Sequence, residues 1–196
     1  MLRKEGKIVV ENVKKLMRKA MGIVLSVVLT LGCILGSGTI AWAEGETADA
    51  AAKIKVACVG DSLTEGYTST GANSGKKGPN AYPARLQSLL GSGYEVKNFG
   101  ETGAFLMEGT SNPYKSGTEY EQSKAYNADI VIIMLGTNDS KNWNEENYKT
   151  QMTAFYNEYK TENNKVIFAT SPKCYQTTGN DITQEKVEKV YQAQKH

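Results

Sequence analysis

The sequence has a single histidine and only three cysteines among its 196 residues. The histidine is the last residue, His196, so the sequence offers no histidine-based metal site. Cys58 and Cys174 lack the spacing of a metal site and belong to no disulfide framework. We therefore expect no metal, and two unpaired thiols rather than a disulfide between them.

Beyond residue 43, acidic residues outnumber basic residues. Residues 1–43 hold 7 of the 23 Lys and Arg residues and 2 of the 21 Asp and Glu residues, which leaves 16 basic against 19 acidic residues in 44–196. The remaining chain has a formal charge of −3 and no basic stripe that would recruit nucleic acid. We therefore expect no nucleic-acid partner.

The first 43 residues combine a basic segment with an apolar one. Seven Lys and Arg residues precede an apolar run at 21–34, and an Ala-Trp-Ala triplet follows at 41–43. This order is typical of an export signal that is cleaved after Ala43, and an uncleaved membrane anchor is the alternative. The sequence thus predicts a secreted or cell-surface protein that contacts a membrane only if the signal is retained. Small and acidic residues at 44–52 predict a flexible leader before a domain at 53–196.

Four short apolar runs alternate with longer segments of helical periodicity. The run after Asp129 is apolar at successive positions, which is typical of a parallel strand buried on both faces. This alternation predicts a three-layer α/β domain with a parallel sheet. Strands are predicted at 54–59, around Val96, from Asp129 and from Lys165, helices at 82–90, 145–160 and 183–195, and surface loops at 67–80 and 109–123.

Ser62 follows the first predicted strand directly. Glu65 lies three residues later, so the segment 62–65 fits a capping box in which Ser62 caps a helix. A nucleophile elbow of the Gly-x-Ser-x-Gly type is not present, because Thr64 occupies the second glycine position. This segment alone leaves both interpretations open, a helix cap and a nucleophile.

Two further strand ends carry groups that acyl transfer needs. Asn-Phe-Gly-Glu-Thr-Gly follows the second predicted strand at 98–103, and Gly-Thr-Asn-Asp follows the third at 136–139. A tetrahedral intermediate requires hydrogen-bond donors around its oxyanion, and the N–H groups of Ser62 and Gly103 and the amide of Asn138 are suitable donors. Each segment alone is a plausible turn or cap. Their occurrence at successive strand ends, where α/β folds bind ligands, favours a catalytic site.

The three segments resemble, in order, the first three sequence blocks of the SGNH, or GDSL-type, hydrolases, and the resemblance extends over about 53–172. It implies a flavodoxin-like sheet and an esterase or acylhydrolase that uses no cofactor. It also implies Ser62 as the nucleophile, with Gly103 and Asn138 as oxyanion donors.

A segment just after the third block indicates a substrate class. Lys141 and Trp143, in Ser-Lys-Asn-Trp-Asn at 140–144, resemble family members that act on acylated carbohydrate. The resemblance therefore implies a small-molecule or glycan ester as the substrate.

The family completes its triad with an Asp-x-x-His block that this sequence does not contain. Ala193 stands where the Asp would precede His196. We expect the helix at 183–195 to run back to the amino-terminal edge of the sheet, roughly 17–20 Å from Ser62. A general base must lie within about 3 Å of the proton that it accepts. We therefore expect that His196 does not act as the base.

The missing block leads us to expect an SGNH domain that lacks its last strand and the loop with Asp and His. Such a domain would have an open edge at the fourth strand and uncovered apolar surface on the last helix. Two hypotheses follow, a secreted serine esterase of which this chain is a part, and a non-catalytic remnant or glycan-binding module. An unusual base such as Asp139 is a third possibility.

Overall fold

The computed structural model of the protein describes residues 52–67, 77–174 and 181–195. All of them fall within the unit Asp49–His196. The predicted signal at 1–43, nearly all of the predicted leader, and His196 lie outside the described residues. Among the described helices, none is long and apolar enough to span a membrane.

The described sheet has four parallel strands in the order β2-β1-β3-β4. Its register places Gly60 of the first strand beside Gly100 of the second and Met134 of the third. The carboxyl ends of these three strands therefore meet at one edge, and all four predicted strands are confirmed. The bounds are β1 Ile54–Gly60, β2 Tyr94–Gly100, β3 Ile130–Met134 and β4 Lys165–Phe168.

Five α-helices connect or follow these strands in the described residues. The three helices predicted from the sequence are present within one residue of their expected ends. The bounds are α1 Ser62–Glu65, α2 Tyr82–Leu90, α3 Thr118–Ala125, α4 Glu145–Tyr159 and α5 Gln184–Gln194, with short 3-10 helices at Tyr114–Ser116 and Asp139–Asn142.

Helices cover both faces of β1, which is buried from Val56 to Gly60. Ala57 and Val59 belong to a core cluster that also contains aromatic residues of α4. Cys58 points to the opposite face, where its thiol lies beside the hydroxyl of Tyr82 in α2. Burial raises the pKa of this thiol to about 12, so it stays protonated and unreactive near neutral pH. The domain is thus a three-layer α/β structure, and neither Cys58 nor Cys174 forms a disulfide with another described residue.

The predicted surface loop at 109–123 is wrong, because this segment contains a 3-10 helix and most of α3. Tyr114 is fully buried, and its hydroxyl donates to the Phe99 carbonyl at 2.6 Å. Its ring lies 6.0 Å from the ring of Phe155 and 6.3 Å from that of Tyr120. A single aromatic side chain therefore anchors a segment whose polar composition resembles that of a loop.

The edge strand β4 pairs only with β3 among the described residues. Val166 and Phe168 pack against the core cluster, whereas Ile167 on the opposite face is 36% exposed. The predicted uncovered surface on the last helix is wrong, because the apolar residues of α5 are buried. These residues are Val187, Val190 and Ala193.

We predict that Gly100→Ala destabilises the domain by about 2–3 kcal/mol. A Cβ at Gly100 would lie 2.1 Å from the backbone nitrogen of Glu65, so α1 would have to move away from β2. Gly93→Ala is the matched control, since its Cβ would meet open space, and we expect it to change stability by less than about 0.5 kcal/mol. Urea denaturation measures both variants. Equal stability of the two would contradict the close approach of α1.

Candidate active site

Ser62 is the first residue of α1 and is half-buried immediately after β1. The helix cap is Asp61, whose Oδ1 accepts a hydrogen bond from the Leu63 N–H at 2.9 Å. The interpretation of Ser62 as the helix cap is therefore wrong, because the cap is the preceding residue, Asp61. Because Asp61 supplies the cap, the Ser62 hydroxyl is not used by it, and no other hydrogen bond to that hydroxyl occurs among the described residues.

Asn98 fixes α1 against the end of β2. Its Nδ2 donates to the Thr64 carbonyl at 2.9 Å, and its Oδ1 accepts from the Gly100 N–H at 2.9 Å. The first residue of the second sequence block thus positions the helix that carries Ser62. Asn98 has no predicted role, although its place at the end of a predicted strand, two residues before Gly100, was the available signal.

Gly103 lies in a tight turn, in which the Ala104 N–H donates to the Glu101 carbonyl at 3.1 Å. Its φ of +80° at the third position is typical of a type II turn, which favours glycine there. Within the described residues, neither the Gly103 N–H nor the Ser62 N–H donates to a backbone carbonyl. Both donors therefore remain available to a ligand.

Asn138 is 5% exposed and directly precedes the 3-10 helix Asp139–Asn142, in the segment that follows β3. Its Nδ2 donates to the Ala104 carbonyl at 2.9 Å, directly beside Gly103. A primary amide has two N–H donors, so one of them stays available. The third sequence block is therefore tied to the second by the side chain that was predicted to bind an oxyanion.

Ser62, Gly103 and Asn138 line the same cavity, which has a volume of about 360 Å³. This volume lies within the range of small-molecule sites. Tyr67 and Lys141 line it as well. The structure thus brings the three predicted site residues together at the carboxyl edge of the sheet.

The carboxylate of Asp139 links the loops that follow β2 and β3. Its Oδ2 accepts from the Leu106 N–H at 3.0 Å, and its Oδ1 accepts from the Met107 N–H at 2.8 Å. Burial raises the pKa of this carboxyl group, and the two N–H donors partly offset that rise. Both oxygens are occupied by backbone donors, so the geometry favours a structural role for Asp139 over that of a base.

Helix α5 ends at the carboxyl edge of the sheet. Gln194 Nε2 donates to the Leu135 carbonyl and to the Tyr148 hydroxyl, each at 2.8 Å, and Gln194 Oε1 accepts from the Ser171 N–H at 3.0 Å. Leu135 immediately follows β3, so this contact places the end of α5 at that edge.

The prediction that this helix runs back to the amino-terminal edge is therefore wrong. Its buried face packs against Gly136, where an added Cβ would lie 2.7 Å from Val190 Cγ1, rather than along the length of the sheet. The distance of roughly 17–20 Å that we used against His196 rested on that direction and no longer applies. His196 itself lies outside the described residues.

Trp143 packs against the core. Its ring centroid lies 5.1 Å from that of Tyr148, and the residue does not line the cavity with Ser62. Lys141 does line that cavity. Of the two residues that indicated a carbohydrate substrate, only Lys141 is in a position to contact one.

Gln194 is predicted to stabilise the segment after β3. Gln194→Ala removes three hydrogen bonds and leaves the Ser171 N–H without its partner, so we expect a loss of about 1–3 kcal/mol. Gln192→Ala is the matched control, because Gln192 is exposed and contacts only Glu188 through its side chain. Urea denaturation of both variants measures the difference. A Gln194 variant as stable as the Gln192 variant would show that the network contributes little.

The buried carboxyl group of Asp61 should make the free energy of unfolding depend on pH. Burial, together with the nearby Asp139 carboxylate, raises the pKa of this carboxyl group to about 7, although the hydrogen bond from the Leu63 N–H lowers it. The folded state then binds more protons than the unfolded state between about pH 4 and pH 7, so stability falls as pH rises through that window.

Asp61→Asn tests this dependence, because asparagine keeps an oxygen that accepts from the Leu63 N–H but does not titrate. We expect the free energy of unfolding to fall less between about pH 4 and pH 7 in this variant than in the native sequence. Denaturation with urea at several pH values measures both. Parallel pH profiles would contradict a raised pKa at Asp61.

The chain matches the GDSL-like lipase/acylhydrolase family over residues 58–195. An acetylxylan esterase of Xylanibacter ruminicola is 38% identical over 104 residues, which are 52% of this chain and 21% of that protein. The chain thus spans about a fifth of the length of this curated relative.

Solved structures show the same fold. The native aryl esterase of M. smegmatis has a TM-score of 0.61 at 21% identity and covers 72% of this chain and 78% of its own. A carbohydrate acetylesterase family member from Sinorhizobium meliloti has a TM-score of 0.57 at 19% identity, with coverage of 72% and 76%. The SGNH-type fold is thereby confirmed, and since the family match covers more than half of the sequence, the chain belongs to the GDSL-like lipase/acylhydrolase family and is by family an ester hydrolase.

Proposed function

We propose that this chain is a serine esterase that cleaves carboxylic esters through Ser62. The observation that carries the proposal is the convergence of Ser62, Gly103 and Asn138 on one cavity. The N–H groups of Ser62 and Gly103 donate to no backbone carbonyl among the described residues, and Asn138 keeps one amide N–H. A serine hydroxyl beside three available donors is the arrangement that a serine esterase uses to stabilise its oxyanion.

In the proposed reaction, the Ser62 Oγ attacks the ester carbonyl carbon. The new O–C bond forms as the carbonyl electron pair moves to oxygen, and the resulting oxyanion accepts hydrogen bonds from Ser62 N–H, Gly103 N–H and Asn138 Nδ2. Collapse of this intermediate expels the alcohol, and water then hydrolyses the acyl-serine. A single donor of this kind contributes about 10²–10³ in kcat in other hydrolases.

The serine proton needs a base within hydrogen-bond reach, about 3 Å, or through one water. No histidine occurs among the described residues, because the sequence has only His196. Asp139 is occupied by two backbone N–H groups, and Asp61 caps α1. The base is therefore to be sought outside the described residues. Without it we expect residual catalysis of only about 10³–10⁴ over water.

The proposed substrate is an O-acyl ester on a carbohydrate, with a small acyl group. The acetylxylan esterase relative supports this class, as does the hydroxyl-rich wall that Thr102 and Thr137 give the cavity. We also propose that the protein is exported, because residues 1–43 have the pattern of a signal segment. Export would bring the enzyme to polysaccharide esters outside the cell.

We predict that a fluorophosphonate probe labels the 196-residue chain at Ser62. Ser62→Ala should abolish labelling, whereas Ser88→Ala on the exposed face of α2 should leave it unchanged, since the Ser88 hydroxyl only donates to Ala84. Circular dichroism confirms that each variant is folded, and labelling is followed over time by mass spectrometry. His196→Ala is included because a large loss of labelling in that variant would identify the terminal imidazole as the base.

Two outcomes would contradict the proposal. Labelling that survives Ser62→Ala would place the reactive serine elsewhere in the chain. A folded native chain that is never labelled would favour the non-catalytic alternative, in which the cavity binds esters without cleaving them.

A further inference from the structure

The cavity that contains Ser62 carries charge of one sign. Lys141 and Lys173 both line it, and no Asp or Glu is among its described lining residues. The charged side chains among its described lining residues are therefore all positive, although residues 44–196 have a formal charge of −3.

Neither lysine is neutralised by a carboxylate among the described residues. Six other lysines form ion pairs within 4.0 Å, and Lys141 and Lys173 do not. Lys141 Nζ lies 5.8 Å from the centroid of the Phe105 ring, a contact that orients an ammonium group without cancelling its charge. Glu188 shares a neighbouring groove with Lys173 but accepts from Gln192 Nε2 at 2.7 Å.

The two lysines reach the cavity from different parts of the fold. Lys141 lies in the 3-10 helix after β3, and its backbone N–H donates to the Asn138 carbonyl at 3.1 Å. Lys173 follows β4, two residues after Ser171, whose hydroxyl accepts from Thr137 at 3.2 Å. Lys141 is thus bonded to the segment that carries the predicted oxyanion donor, and the chain that leads to Lys173 contacts the same segment at Ser171. Clefts lined by one sign of charge attract ligands of the opposite sign.

We propose that the preferred substrate is an ester with a carboxylate close to the scissile bond, and that Lys141 and Lys173 determine this preference. The inference rests on the proposed esterase function and specifies its substrate class. A lysine ammonium acts on a carboxylate as a compact, mobile point charge. The preference should therefore weaken as salt screens the interaction.

The test measures binding, so it does not depend on turnover. The 196-residue chain with Ser62→Ala is titrated with 4-acetoxybenzoate and with the neutral 4-acetoxybenzamide, and ligand-observed NMR gives both dissociation constants. At low salt we expect the benzoate to bind about five- to tenfold more tightly than the amide. This ratio should fall towards one at high salt.

Lysine variants in the Ser62→Ala background test whether Lys141 and Lys173 cause the tighter binding of the benzoate. Lys141→Ala and Lys173→Ala should each reduce the ratio, and the double variant should remove it. Lys149→Ala is the matched control, because Lys149 pairs with Glu145 at 2.8 Å on the surface of α4, and its ratio should not change. Lys141→Arg keeps the charge and should retain most of the preference.

The outcomes separate this inference from the function on which it rests. Equal binding of both esters would overturn the carboxylate preference and leave the esterase proposal intact. A preference that persists in the double variant would overturn the assignment to these lysines. A folded protein that binds neither ester would overturn the carboxylate preference, whereas the esterase proposal is decided by the labelling of Ser62.

Discussion

The buried carboxylate of Asp139 fixes the two loops of the candidate site relative to each other. It accepts two backbone N–H groups, those of Leu106 and Met107, and so joins the loop after β3 to the loop after β2. Asn138 adds a parallel link one residue earlier through the Ala104 carbonyl. Hydrogen bonds to an ionised acceptor are stronger than neutral ones, and here they also offset the cost of burying the charge. The relative placement of Gly103 and Asn138 follows from these links.

Ser62, the proposed nucleophile, is placed by a second set of constraints. Asp61 caps the short helix that Ser62 begins, and Asn98 of β2 donates to the Thr64 carbonyl in that helix while it accepts from the Gly100 N–H of its own strand. Gly60 and Gly100 end adjacent strands, and a side chain at either would collide with α1. Backbone packing at the strand ends therefore fixes α1, which brings Ser62 to the cavity without a glycine after the serine.

Much of this architecture follows from local sequence patterns. Strand β3 was predictable because a strand buried on both faces must be apolar at successive positions, as Val131 and Ile133 illustrate beside Ile132. The convergence of Ser62, Gly103 and Asn138 on one cavity was predictable because the carboxyl ends of parallel strands meet at one edge of a sheet. The cap was misplaced because both Asp61 and Ser62 are good capping residues, and sequence alone does not rank them.

Other features depend on contacts between distant segments. Tyr114 is buried, and its hydroxyl donates a hydrogen bond to the Phe99 carbonyl, so a segment of polar composition packs against the core. The predicted direction of α5 was wrong because we treated this helix as a crossover helix, which packs along the sheet. Gln194 instead finds its partners at the carboxyl edge, 59 residues away in the case of Leu135. No local pattern in the sequence encodes such a partner.

The electrostatics of the site follow from which of its charges are buried. Asp61 lies directly before Ser62, and an ionised carboxylate there would oppose the negative charge that develops on an oxyanion. Burial raises its pKa to about 7, so below that pH the group is largely neutral and this opposition is reduced. Lys141 and Lys173 line the cavity, and neither forms an ion pair with a carboxylate among the described residues. The balance at the serine therefore favours negative charge, both on the oxyanion and on a substrate that carries its own carboxylate.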